Sequence, residues 1–138
     1  MVWHARLRAW LPACGHAEPG ETPARAAERE PLEELGCRVR FLPAPALPLP
    51  DGFPHHPGDS PWWVVDMPAS ADGHTSGRHR HQDYVFVSEW AGDARDPETM
   101  AAWLSEPEVV GHEGLAEDSR LLAITIFAHV RALLGPDS

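Results

Sequence analysis

The stretch from Gly15 to Cys37, GHAEPGETPARAAEREPLEELGC, constrains this chain more than any other. It opens as a loop, punctuated by Gly15, Pro19 and Gly20. A helix then starts after Thr22, a hydroxyl N-cap, with Pro23 at the first helical position, where a missing N–H costs nothing. The helix is expected to run to about Leu35 and to stop at Gly36, a C′ residue free to take a positive φ. Glu30, Glu33 and Glu34 stand at the i, i+3, i+4 spacing, so three carboxylates share one helical face. Such a patch repels itself unless a cation neutralises it. A hard divalent ion with oxygen ligands does so, which is the chemistry of magnesium.

In register, Gly15, Glu21, Arg29-Glu30, Glu33-Glu34, Gly36 and the apolar Cys37 resemble the Nudix box, Gly-x5-Glu-x7-Arg-Glu-U-x-Glu-Glu-x-Gly-U, with U bulky and apolar. The flanking Trp10-Leu11-Pro12 and Glu18-Pro19-Gly20 are similar to the family as well. The resemblance implies an α/β fold, a sandwich of helices around a mixed β-sheet. It implies a hydrolase that cleaves a phosphoanhydride bond of a nucleoside diphosphate linked to another moiety, with Mg2+ or Mn2+. By the same resemblance Glu30, Glu33 and Glu34 hold the metal and serve catalysis, joined by the backbone carbonyl of Cys14. Arg29 pairs with a box carboxylate, Glu21 anchors the loop to the helix, and Gly15 and Gly36 are structural. The general base lies in the box in some relatives and on a later loop in others, where Glu98 and Asp96 stand here. Trp10, Trp62 and Phe86 can stack on a nucleobase or pack in the core, and His81 stands near the substrate.

Three features depart from the pattern. Pro31 occupies the first apolar U position, where it removes a helical hydrogen bond and clashes with the carbonyl of Ala27, at a cost of about 3 kcal/mol. It also disfavours helical backbone at Glu30. Cys14 stands where the family has a second glycine. Finally, only VWHARLRAWLPA precedes the box, enough for the end of one strand and a short second one. An exposed sheet edge of that kind tends to pair with another chain, so a homodimer is expected, with Trp3 and Trp10 near the contact. The rival function is a Nudix-fold protein that binds a nucleotide without efficient hydrolysis.

Composition narrows the partners. The 138 residues suit a single domain spanning 1–138. Net charge is −10 and every basic residue is Arg, which argues against long nucleic acid as a ligand. A small phosphorylated substrate stays open, because a bound metal reverses the local field. No apolar run is long enough to span a membrane, and MVWHARLRAW lacks the apolar core of a signal peptide. Two cysteines form neither a disulfide framework nor a zinc pattern, so a reducing, cytoplasmic setting is expected.

Beyond the box, Cys37–Leu42 alternates apolar and polar residues and reads as a strand. Seven prolines between Pro43 and Pro61 make an extended surface excursion. Strands are expected at Pro61–Met67 and over residues 79–90, with a turn-rich loop at Pro68–Gly77 between them. On the second strand His79, His81 and Asp83 alternate, so they share one face, either as ordinary polar residues or as ligands of a transition metal. Trp103-Leu104-Ser105-Glu106 resembles the family's strand ending in Trp followed by a Ser-capped helical turn. A last helix, capped by Asp118 or Ser119, carries a wide apolar face and ends at Gly135-Pro136.

Overall fold

The computed structural model describes residues 1–69 and 76–134. The chain opens with an antiparallel hairpin, β1 (Val2–His4) and β2 (Ala9–Leu11), that sets Trp3 opposite Trp10. Helix α1 (Pro23–Glu34) follows, then β3 (Cys37–Phe41). After the proline-rich excursion come β4 (Trp63–Ala69), β5 (His79–Val85) and β6 (Ser88–Asp93). Helices α2 (Glu106–Gly111) and α3 (Glu117–Leu134) complete the described chain. The interspersed helices and strands are of the α/β class. Among the described residues the strands pair as three two-stranded antiparallel sheets, β1–β2, β3–β6 and β4–β5. Single bridges add Val2 against Ala101, antiparallel, and Trp10 against Leu115, parallel.

Helix α1 owes its limits to its end residues. Thr22 is extended, its carbonyl receives the Ala26 N–H at 3.1 Å, and its Oγ1 accepts from the Arg25 N–H at 3.3 Å. At the other end Gly36 has φ 68°, and a Cβ there would lie 2.0 Å from the carbonyl oxygen of Arg95. The Gly36 carbonyl in turn accepts the N–H groups of Ala94 and Arg95, at 2.8 and 3.1 Å. Arg95 also donates from Nε to the Leu32 carbonyl at 3.1 Å, satisfying an acceptor in the last turn of α1. Pro31 does not interrupt this helix. The helix runs unbroken from Pro23 to Glu34, Glu30 keeps its place in it, and the Leu35 N–H reaches the Pro31 carbonyl at 3.0 Å. The proline's cost is confined to the Ala27 carbonyl, which cannot receive the usual bond from position 31.

The strand expected over residues 79–90 divides in two at Phe86 and Val87. Before that point β5 pairs with β4, and after it β6 pairs with β3, so one extended run serves two ladders. Buried Val87 marks the crossing, and its carbonyl accepts the Leu42 N–H at 2.8 Å. The strand expected at Pro61–Met67 begins two residues later and reaches Ala69, so Pro68 and Ala69 belong to β4 and not to a loop. Residues 70–75 of the loop expected at Pro68–Gly77 lie outside the described residues, as does the Gly135-Pro136 stop. Helix α3 begins at Glu117, one residue before the expected cap. The strand expected before Trp103 is reduced to the bridge at Ala101, and Trp103 is exposed. Ser105 does cap the following helix: its N–H and hydroxyl both meet the Glu108 carboxylate, at 2.7 and 2.6 Å.

The buried apolar residues include Val2, Ala26, Cys37, Val87, Val109 and Leu115. They come from the first strand, α1, β3, the β5–β6 crossing, α2 and the turn before α3. The α2–α3 junction is further held by Arg120, whose guanidinium donates to the carbonyls of Val109, Val110 and His112 at 3.0, 2.6 and 2.7 Å. Gly36 is the tightest backbone constraint at the end of α1. Gly36→Ala should cost more than about 1–3 kcal/mol, the scale of a strained left-handed residue, because the collision with the Arg95 backbone adds to it. Urea unfolding measures this, and an unchanged midpoint would show that the loop does not close on Gly36.

Candidate metal-binding and catalytic site

Everything at this site converges on Arg29. Its Nε and Nη2 donate to the two oxygens of Glu21, both at 3.0 Å, a bidentate pair across the loop. Its Nη1 donates to Glu30 Oε1 at 2.8 Å and to Glu33 Oε2 at 2.9 Å, and Nη2 also reaches the His16 carbonyl at 3.1 Å. Glu21 completes the loop by accepting the Glu18 N–H at 2.9 Å. One guanidinium therefore joins the loop, the start of the box and two of its helical carboxylates. Hydrogen bonding, first to Glu21 and then to Glu33 and Glu30, raises the Arg29 pKa further above its already high value. The same contact holds Glu21 below the usual carboxylate range.

The three box glutamates are not equivalent. The Glu30 side chain is 13% exposed, against 45% for Glu33. Glu30 lies directly on the loop backbone: a Cβ on Gly15 would stand 1.9 Å from its Oε1. Glu34 faces the other side of the loop and accepts the Cys14 N–H on Oε2 at 3.1 Å. Burial pushes the Glu34 carboxyl up; the Cys14 N–H opposes this, and the charges of Glu30 and Glu33 add to the rise. The surface of Cys14 is largely accessible, yet its sulfur is crowded. That crowding, with the negative charges of Glu34, Asp83 and Glu30, pushes the thiol up to about 11. The group is a neutral thiol at physiological pH, so any hard-metal donor at this position is the backbone carbonyl, not sulfur.

Do these residues fit a hard divalent cation? Among the described residues, no three His, Cys, Asp or Glu side chains are gathered into a finished ligand shell. Arg29 draws Glu30 and Glu33 together, and Cys14 holds Glu34 against the same loop, each bond engaging one oxygen of its carboxylate. The donors are carboxylates and backbone carbonyl, all hard oxygen, and the net charge of the cluster is negative. In donor chemistry the residues fit magnesium or manganese, with Arg29 standing as the internal counter-charge.

The remaining candidates are dispersed. Glu98 forms an ion pair with Arg95 at 2.9 Å, on the loop that closes over Gly36. Asp96 belongs to the same exposed loop. Trp10 packs edge-on against Trp3 and His112, at centroid distances of 5.8 and 6.0 Å. Trp62 is buried against Trp63 and His129 and donates from Nε1 to the Leu42 carbonyl at 3.2 Å, which is a core role and no open face for a base. Phe86 packs on Phe41 at 4.8 Å. His81, on β5, stands edge-on to His16 of the box loop at 5.2 Å. Sequence reasoning missed His16, which follows the first box glycine and carries no motif of its own, and it missed Asp83 as a neighbour of Cys14.

The NUDIX domain family model matches residues 1–123. A solved structure described as a hydrolase of the NUDIX family, from Clostridium perfringens, aligns with a TM-score of 0.66 at 19% sequence identity. The alignment covers 94% of this chain and 87% of that one, a likeness of fold. No curated protein sequence matches the chain.

The raised Glu34 carboxyl makes a signed prediction. Its folded-state pKa lies above the unfolded value, so the ionised form costs stability at neutral pH. That cost fades as pH falls through the folded pKa. Without divalent metal, Glu34→Gln should therefore melt higher than the wild type at neutral pH, and the gap should close on acidification. Thermal unfolding across pH checks this; a gap independent of pH would mean that Glu34 is not held under strain.

Proposed function

Because this chain belongs to the Nudix family, we propose that it is a hydrolase cleaving a phosphoanhydride bond in a nucleoside diphosphate linked to another moiety. The observation that carries the reading is the Arg29-centred cluster, which keeps every charged position of the box and organises it around one loop. Glu30, Glu33, Glu34 and the backbone carbonyl of Cys14 would hold Mg2+ or Mn2+. Bound there, the ion supplies charge neutralisation of the diphosphate and a more acidic water.

The chain's own residues do the rest. Arg29 and Glu21 fix the loop and keep Glu30 on the Gly15 backbone, so that the acidic face is oriented before substrate arrives. Glu34 couples that face to the Cys14 peptide. Glu98 is the candidate to accept the proton of the attacking water, and it pairs with Arg95 on the loop that reaches Gly36. His81, beside His16, borders the loop on the β5 side. The intact acidic trio favours this reading over a nucleotide binder without efficient hydrolysis, and helix α1 continues through Pro31.

Two measurements test the proposal. Millimolar Mg2+ should raise the melting temperature by binding the native state, and the increment should vanish when Glu33 and Glu34 are both replaced by Gln. A panel of nucleoside di- and triphosphates, sugar nucleotides and dinucleotides, followed by phosphate release, should identify a substrate turned over only with the metal. Metal uptake without turnover of any member would favour the binder.

Gly15→Ala separates site from scaffold. The added methyl collides first with the carboxylate end of Glu30, which can swing away, so stability should fall by about 1.5–3 kcal/mol, the scale of a hydrogen bond to a charged group. Turnover should fall steeply, because Glu30 loses its seat. Unimpaired turnover in this variant would remove Glu30 from the mechanism.

A further inference from the structure

The face of β5 that carries His79 and His81 holds a second constellation, separate from the carboxylates of α1. The two residues occupy alternate positions on one strand, so their side chains project to the same side. Their Nε2 atoms stand 2.7 Å apart, with ring centroids at 4.6 Å. His79 Nδ1 lies 3.0 Å from the Gly77 carbonyl, an atom that can only accept, so Nδ1 carries the proton. In the neutral ring His79 Nε2 is then a lone pair, and His81 supplies the hydrogen between the two rings. The two Nε2 atoms thus face each other across one hydrogen bond, on a strand paired in register with β4, His79 opposite Ala69 and His81 opposite Met67.

From this geometry we propose that His79 and His81 form a bidentate site for a divalent transition ion of the copper, nickel and zinc class. Imidazole nitrogen suits these ions and does not suit magnesium. With metal–nitrogen bonds of about 2.0–2.1 Å, two donors at right angles around a tetragonal ion stand about 2.8–3.0 Å apart. The rings already sit within a few tenths of an ångström of that spacing. Loading the site requires the Nε2 proton of His81 to leave, to solvent or to Nδ1 of the same ring, so that both Nε2 lone pairs face the ion. Among the described residues no group of three His, Cys, Asp or Glu side chains gathers here. The site is soft where the box is hard, and the two should load independently.

The test uses the full chain, stripped of metal and titrated with Cu2+ or Ni2+ in the presence of millimolar Mg2+. Calorimetry should show one transition ion per chain, and the Cu2+ electron paramagnetic resonance spectrum should carry the nitrogen hyperfine pattern of two imidazoles. His79→Ala and His81→Ala should each abolish that two-nitrogen signal. The Glu33→Gln/Glu34→Gln variant and Cys14→Ser should keep it, which excludes the box carboxylates and the thiol as its source. Should the alanine variants fail to fold, the spectrum of the wild-type protein decides alone, since a signal without two imidazole nitrogens overturns the proposal. It is equally overturned if the double His variant keeps the signal, or if Mg2+ displaces the ion.

Discussion

A guanidinium shared among several carboxylates is the constraint on which the rest of this molecule depends. Arg29 reaches forward to Glu30 and Glu33 on its own helix and back to Glu21 and the His16 carbonyl on the preceding loop. Without it, the loop would keep only ties such as the Cys14–Glu34 bond to α1, and three glutamates on one face would repel one another. The planar fork suits this work in a way an ammonium would not, because it serves the two oxygens of Glu21 and still has a nitrogen for the helix. All the basic residues of this chain are Arg, so the choice of guanidinium over ammonium extends to its surface too.

Around that hub the two glycines of the box act in different ways. Gly36 is required by backbone: its positive φ and the nearness of the Arg95 carbonyl admit no side chain. Gly15 is required by a neighbour's side chain, since the Glu30 carboxylate occupies the place of a Cβ. One glycine therefore belongs to folding and the other to chemistry. The loop after β6 is tied to the first of them through hydrogen bonds to the Gly36 carbonyl, which carries Glu98 into the neighbourhood of the box helix.

Much of this was legible in the sequence, and the limits are instructive. Helix α1 was readable because its signals are local: Thr22, Pro23 and Gly36 state where it begins and ends, whatever surrounds it. The acidic face followed from spacing alone. Pro31 was harder to read, because propensity assigns the residue a cost but does not say how the helix accommodates it; α1 continues through it. The division at Phe86 and Val87 was hidden for the opposite reason. YVFVSEW has uniform β-propensity, and only the partner strands decide where pairing passes from β4 to β3. The Arg120 contacts to α2, and the pairing of His79 with His81 through their Nε2 atoms, likewise depend on three-dimensional meetings that no window of sequence displays.

The proline-rich excursion has a consequence for how the chain can vary. It departs at Leu42, whose N–H bonds Val87, and returns at Trp62, whose N–H bonds Val85 at 2.8 Å. The Trp62 indole then ties back to the Leu42 carbonyl, so the two feet of the excursion are joined to each other as well as to the sheet. Between them the chain carries strongly exposed residues, Leu47 at 95% among them, and contributes nothing to the buried core. With its feet fixed, doubling or halving its length changes the closure entropy by only about 0.6 kcal/mol. The segment is in effect a handle: insertions, deletions and grafted sequences can accumulate there over evolutionary time, or by design, while the box and its helix stay where they are.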